Sequence, residues 1–432
     1  MHSFHYRDNR LFCEESDLAQ IAETYGTPLY VYSQHTVLDH FQRLNAALKG
    51  LDHEICYAVK ANPNLTLLRL LANAGAGFDI VSGGELYKVL SSGGSASKCT
   101  FAGVGKTREE IAYALHNEVL SFNVESEEEL LAIQEVATSL GKTAPVAIRV
   151  NPDVDAATHK YISTGKSQNK FGIGLDRIEA VYELAAGLSH VKIIGIQTHI
   201  GSQIRESKPF VEALQKLVPL VKRLRERYGI EFFSIGGGIG IVYQGSLESG
   251  REEWWSDETT KQGMTIEEYV TAIGPLLEDI GVRVLLEPGR FLVGNAGILL
   301  CRVLYIKETP AKRFVIVDAG MNDLIRPALY DGFHEIVAVE RNSKLDPIVA
   351  DVVGPVCESG DFFALDRKIP GCQSGDLLAV MSAGAYGFAM ASNYNSRPLP
   401  AEVLVDGNSA QLIRRRQNYA DLVEFELGLE ED

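Results

Sequence analysis

No apolar run in the sequence is long enough to cross a bilayer: the longest, "GILLCRVLYI" at 297–306, is well short of the ~20 residues a spanning helix needs. The first residues, "MHSFHYRDNRLFCEES", lack the apolar core of a secretion signal, so a soluble, untargeted protein is expected. Cysteine is scarce. The six, at 13, 56, 99, 301, 357 and 372, never fall into C-x-x-C, and none of the ten histidines makes H-x-x-x-H. A structural zinc site and a disulfide framework are therefore disfavoured, no metal is expected, and a reducing cytoplasm fits. Basic residues are in the minority, 41 against 57 acidic ones, for a formal charge of -16. That balance argues against a nucleic-acid-binding surface, and the one dense basic cluster, Arg414-Arg415-Arg416, reads as a solvated strand end. There is no G-x-G-x-x-G either. In "IGGGIGIV" at 235–242, Ile241 stands where the last glycine would be, which disfavours a Rossmann dinucleotide site.

With 432 residues, 46% of them hydrophobic and 23% charged, the chain is expected to fold into two domains with sizeable cores. Eight β-rich runs follow one another: "EICYAVKA", "GFDIVS", "CTFAG", "LSFNVES", "PVAIRVN", "KIIGIQTHI", "EFFSIGGG" and "RVLLEPG". Between them lie stretches with apolar residues three and four apart, such as "SEEELLAIQEVATSLG". Eight βα units over roughly 230 residues match a closed (β/α)8 barrel, usually about 250 residues, better than an open sheet. After "EPGR" strands continue without long helices, which predicts an antiparallel β domain. "TPLYVYS" at 27–33 precedes the first barrel strand and is assigned to that second domain. The expected division is a barrel over 34–286, with 1–33 and 287–432 forming the β domain.

In such a barrel the C-terminal strand ends carry the chemistry. Here they are Lys60, Asp79, Asn123, Arg149, His199, the glycines of 236–240, and Glu287. A desolvated lysine becomes a nucleophile that can form an imine with a carbonyl. Glycines 236, 237, 238 and 240 let backbone amides approach an anion without Cβ interference, after the seventh strand, where these barrels often hold phosphate. Lysine plus phosphate loop suggests pyridoxal phosphate. A carboxylate such as Glu287 beside the pyridine nitrogen would keep the ring an electron sink, and His199 could lie against its face. Taken singly, each residue also has a structural reading: Lys60 paired with Asp79, His199 a satisfied core histidine, Glu287 a salt-bridge partner, the glycines a tight turn.

The segments "YAVKAN", "THIGSQ", "GGGIG", "EPGR", "MNDLIRPALY", "CESGD" and "GAYG" occur in the order, and over nearly the whole length, that resembles the diaminopimelate decarboxylases, alanine-racemase-like pyridoxal-phosphate enzymes of fold type III. The resemblance implies decarboxylation of meso-diaminopimelate to L-lysine, the last step of lysine biosynthesis. It implies that Lys60 carries the cofactor, that His199, Ser202, Gly238, Gly240, Glu287, Gly289, Arg290 and Tyr386 surround it, and that Arg290, Arg326, Tyr330, Glu358 and Tyr386 bind substrate. Cys357 matches the proton donor, and the active sites would be shared in a homodimer. The late residues also have plain readings, as domain-interface residues or, for Cys357, a small buried hydrophobe. Rival activities are decarboxylation of another basic amino acid, racemisation on the same scaffold, or a non-catalytic cofactor carrier. One segment, "QGSLESGREEWWSDETTKQG" at 244–263, is longer than the family pattern, and its tryptophans call for a packing surface such as a partner subunit.

Overall fold

The computed structural model describes residues 2–155, 170–257 and 261–427. Its contacts divide the chain into a barrel unit, Leu38–Ile241 with Gln262–Leu292, and a β unit, Met1–Val37 with Val242–Lys261 and Val293–Asp432.

In the barrel unit the strands are β1 (His53–Ala58), β2 (Gly77–Ile80), β3 (Cys99–Phe101), β4 (Ser121–Val124), β5 (Ala144–Asn151), β6 (Val191–Gln197), β7 (Phe232–Ser234) and β8 (Arg283–Leu286). Each pairs in parallel with its sequence neighbour, β8 pairs with β1, and the cylinder closes. All eight expected strands are present. Because both faces of a barrel strand are covered, the strands read as apolar runs with buried polar residues near their ends. Cys56, Ala147, Ile194, Phe232 and Leu285, from five strands, form one apolar cluster. Gly195 gives it room, since a Cβ there would stand 2.6 Å from the Phe232 ring. Truncating that ring to alanine would cost about 3–5 kcal/mol.

Helix starts follow side-chain caps. Thr107 with Glu110 and Thr265 with Glu268 form capping boxes, satisfying amide donors that the first helical turn leaves open. The turn after β1 is fixed in the same way. Asn62 Oδ1 accepts the Asn64 N–H at 3.1 Å, Asn64 Oδ1 accepts that of Thr66 at 2.9 Å, and the Tyr57 hydroxyl donates to the Asn62 carbonyl at 3.0 Å. "ANPN" is thus a rigid stop that starts the next helix, Leu65–Asn73.

The β unit centres on a long strand, Gly297–Glu308, that pairs with Leu29–Ser33, Leu377–Val380 and Arg313–Val317. The "TPLYVYS" strand therefore joins this unit. Pairing is mostly antiparallel, with two parallel exceptions, Leu29–Ser33 beside Ala401–Asp406 and Arg313–Val317 beside Ile348–Val353. Phe4, Leu11, Leu18, Val31, Ile298 and Val403 are among its core. The arginine cluster is less solvated than expected. Arg414 pairs with buried Glu402 at 2.5 Å, Arg415 with Asp421, and Arg416 donates to the Pro28 carbonyl at 2.7 Å. No helix among the described residues is long and apolar enough to cross a membrane.

Candidate active site

Lys60 lies one turn beyond β1, in the 3-10 turn Val59–Ala61 rather than in the strand itself. Its Nζ is 2.5 Å from Asp79 Oδ2 at the end of β2. Asp79 is almost wholly buried while the lysine side chain is 39% exposed, so the ion pair sits at an opening. This is the pairing that a purely structural lysine would make. The neighbours argue for more.

Glu287, just past β8, is buried, and its carboxylate accepts from Gln197 Nε2 at 2.9 Å and Ser234 Oγ at 2.7 Å. Burial first, and the Asp79 charge second, push its carboxyl up to about 7, against those hydrogen bonds and the Lys60 charge. Glu287 is thus poised to hold or release a proton near neutral pH. His199, just past β6, accepts the Gly237 N–H on Nδ1 at 3.2 Å, which leaves the hydrogen on Nε2. Burial, then the charges of Arg149 and Lys60, push its imidazole well below the ordinary histidine range, so the ring is neutral.

The glycine loop is built for close approach. Gly236 and Gly238 have φ of +71° and +109°, and a Cβ on Gly238 would strike the Gly201 carbonyl oxygen. The loop is zipped to residues 201–204 by Ile204 N–H to Gly238 O at 2.9 Å and Gly240 N–H to Ile204 O at 2.8 Å. Ser202 stands in that partner segment, and its Oγ accepts from Arg290 Nη2 at 3.0 Å. Gly289 lets the 287–290 turn lie against the lysine turn: a Cβ there would come 3.0 Å from Ala61 and 3.1 Å from Ala58. The Ala58 N–H donates to the Pro288 carbonyl at 3.1 Å across the same contact.

Arg149, at the end of β5, pairs with Glu125 at 2.8 Å, both side chains being nearly inaccessible. Among the described residues Asp79 Oδ1, Asn123 Nδ2, Arg149 Nη2 and Gln197 Oε1 are buried without a hydrogen-bond partner. Buried polar atoms are normally satisfied, so these mark a place where a polar group belongs. Pyridoxal phosphate fits. If bound, it would be held by Lys60, the glycine cradle with Ser202, Glu287 and His199.

The barrel unit therefore brings together Lys60, His199, Ser202, Gly238, Gly240, Glu287, Gly289 and Arg290. Arg326, Tyr330, Cys357, Glu358 and Tyr386 belong to the β unit. There Arg326 is buried, opens the short helix Arg326–Tyr330, and places Nη1 2.7 Å from His334 Nε2. Tyr330, half-buried, ends that helix. Cys357 and Glu358 are exposed on the "CESGD" turn, with the Cys357 N–H donating to Asn395 Oδ1 at 2.9 Å and the Tyr394 hydroxyl to Glu358 Oε2 at 3.0 Å. The aspartate of that motif, Asp361, shapes the turn by accepting the N–H groups of Met321 and Val356, both at 2.6 Å. Tyr386 is half-buried at a φ of +57°, a conformation its own turn must impose. The start of the 244–263 segment packs within the β unit, with Leu247 in the core and the Leu247 N–H on Glu335 Oε2 at 2.8 Å, while residues 258–260 lie outside the described residues.

Sequence reasoning overlooked Gln197, Ser234 and Glu125. A signal existed, since Gln197 and Ser234 are polar residues that close otherwise largely apolar strands, at the barrel end where the chemistry gathers.

Residues 34–294 match the family model described as the pyridoxal-binding domain of pyridoxal-dependent decarboxylases. Among curated proteins, the diaminopimelate decarboxylase of Pseudomonas aeruginosa is 50% identical over 98% of this chain and 98% of its own, and that of Aquifex aeolicus 47% identical over 98% and 97%. The crystal structure of the Helicobacter pylori diaminopimelate decarboxylase complexed with L-lysine superposes with a TM-score of 0.87, at 39% identity, covering 95% of this chain and 99% of that one. Near-complete coverage at such identity means that the chain belongs to the diaminopimelate decarboxylase family of pyridoxal-phosphate enzymes.

Proposed function

We propose that the protein removes carbon dioxide from meso-diaminopimelate to give L-lysine, using pyridoxal phosphate held at the barrel mouth. The observation that carries this reading is the set of Lys60, Asp79, Glu287 and His199 around orphaned buried polar atoms beside a glycine cradle. When bound, the protonated pyridine ring supplies the electron sink for the pair left behind as carbon dioxide departs. Asp79 Oδ2, in contact with Lys60 Nζ, holds that amine in place at the barrel mouth. Ser234 and Gln197 hold the Glu287 carboxylate in place, and Glu287 keeps a proton available at the ring nitrogen. Neutral His199 offers a flat uncharged face that adds no positive charge beside the ring.

We assign Arg290 of the barrel unit, with Arg326 and the Tyr330 hydroxyl of the β unit, to the distal carboxylate of the substrate, Glu358 to its distal ammonium, and Tyr386 to both cofactor and substrate. Cys357, as a thiol, returns the proton to the α-carbon. The protein acts as a homodimer with shared active sites. All six cysteines are free, which fits a reducing, cytoplasmic setting.

Holo-protein offered meso-diaminopimelate, lysine and ornithine should release carbon dioxide from the first at least about thirtyfold more efficiently, since the smaller substrates leave a buried arginine unpaired. Equal turnover of lysine or ornithine would reject the substrate assignment. For the shared site, mixing Lys60→Ala and Cys357→Ala subunits should restore activity through hybrids. No rescue despite demonstrated exchange would reject sharing.

A further inference from the structure

His334 is fully buried and touches two groups whose chemistry leaves it no choice of tautomer. Its Nδ1 is 2.8 Å from the Met381 carbonyl oxygen, which can only accept, so Nδ1 carries the hydrogen. Its Nε2 is 2.7 Å from Arg326 Nη1, which can only donate, so Nε2 presents a lone pair. The imidazole is thereby held neutral. Unlike a carboxylate, it orients the guanidinium without cancelling its charge. Below the pair lies Tyr243, whose ring is 4.6 Å from the Arg326 guanidinium carbon and meets the His334 ring edge-on at 5.2 Å.

Tyr243 is itself anchored from both sides in sequence. Asn295 Nδ2 donates to the Val242 carbonyl at 3.0 Å, the Ser246 and Ser382 hydroxyls meet at 2.6 Å, and the Leu247 N–H bonds to Glu335, the residue after His334. These anchors account for the start of the long segment after the glycine loop: it fixes an aromatic plate and the loop carrying His334 around one arginine.

We propose that His334 and Tyr243 are positioning residues that hold the Arg326 guanidinium in one orientation for the carboxylate of the substrate's distal head. This rests on the assignment of Arg326 made above. A guanidinium is a planar fork of N–H donors, and bonding Nη1 to His334 while stacking the plane on Tyr243 fixes that plane and its direction, which is the geometry carboxylate recognition depends on. The ordering is then complete before substrate arrives, and affinity gains accordingly.

The test is steady-state decarboxylation of meso-diaminopimelate by holoenzyme variants. His334→Leu should raise KM by about tenfold to a hundredfold, the worth of a hydrogen bond to a charged group, with kcat within about threefold of wild type. His334→Gln retains an amide donor and acceptor and should recover most of the loss. Tyr243→Leu should raise KM by about two- to thirtyfold, while Tyr243→Phe keeps the ring and stays within about threefold. In an Arg326→Ala background, His334→Leu should add less than about threefold. Equal changes in kcat and KM, no rescue by glutamine, or effects that multiply with Arg326→Ala would overturn the proposal and leave His334 a structural residue. If His334→Leu does not fold, the two Tyr243 variants decide by the same criteria. A KM unchanged in Arg326→Ala would remove the assignment of Arg326 itself. A raised KM there with an unchanged KM in His334→Leu would remove this inference alone.

Discussion

Replacing Arg149 by methionine isolates the energetics of the barrel mouth. In the native structure the Arg149 and Glu125 side chains are 6% and 2% exposed and meet at 2.8 Å, and the guanidinium lies 4.8 Å over the Phe171 ring. Glu125 also accepts the Gly172 N–H at 2.9 Å and the Gly103 N–H at 3.2 Å, so the pair ties the ends of β4 and β5 to the loops that follow β5 and β3. Methionine fills much of the arginine volume but leaves a buried carboxylate without its cation. Removing one partner of such a pair costs about 3–5 kcal/mol. For a body the size of this barrel, where each kcal/mol moves Tm by about 2–4 °C, calorimetry should show a drop of about 6–20 °C. Adding Glu125→Gln removes the stranded charge and should recover at least half of that loss. The single variant should also let the His199 pKa rise while keeping it below the ordinary range, because burial, the larger cause, remains. A Tm within 2 °C of wild type, or a double variant no more stable than the single one, would refute the reasoning.

Two further outcomes follow from the same site. The Glu287 carboxyl titrates near 4.5 when unfolded and about 7 when folded, so between those values the folded state holds the extra proton and its stability falls as pH rises. Against Glu287→Gln, which a flip of the Gln197 amide accommodates, cofactor-free wild type should lose about 3 kcal/mol from pH 4 to pH 8, and a flat difference in denaturation midpoints would contradict this. Gly238→Ala must fit a methyl against the Gly201 carbonyl at a φ of +109°, so cofactor titration should show affinity weakened at least about tenfold; wild-type affinity would mean that the loop does not cradle the phosphate.

The barrel was legible because its strands are buried on both faces and therefore appear as uninterrupted apolar runs separated by helical spacing. Lys60, His199 and Glu287 were legible for a related reason, as ionisable groups at the ends of such runs. Less readable was how far each strand extends. β1 stops at Ala58 because the backbone turns to meet Pro288, a contact between residues far apart in the chain. Phe362–Ile369 is harder to read as a strand: "FFALDRKI" mixes apolar and charged residues without clean alternation, and the four residues 365–368 are exposed or half-buried. The roles of Gln197, Ser234, Glu125, His334 and Tyr243 depend on which atoms they meet across the fold, and no local pattern encodes that. Asp361 in "CESGD" makes the same point, since its two backbone partners include Met321, from another motif altogether.

The central claim is that the Lys60 amine is the attachment point of the cofactor and that the groups around it form the active site. Borohydride reduction of the holo-protein, followed by proteolysis and peptide mass mapping, tests this directly. The account predicts the reduced cofactor on the peptide containing "YAVKAN", fixed to Lys60, and no incorporation in Lys60→Ala. Label on another lysine, or undiminished labelling of Lys60→Ala, would contradict it.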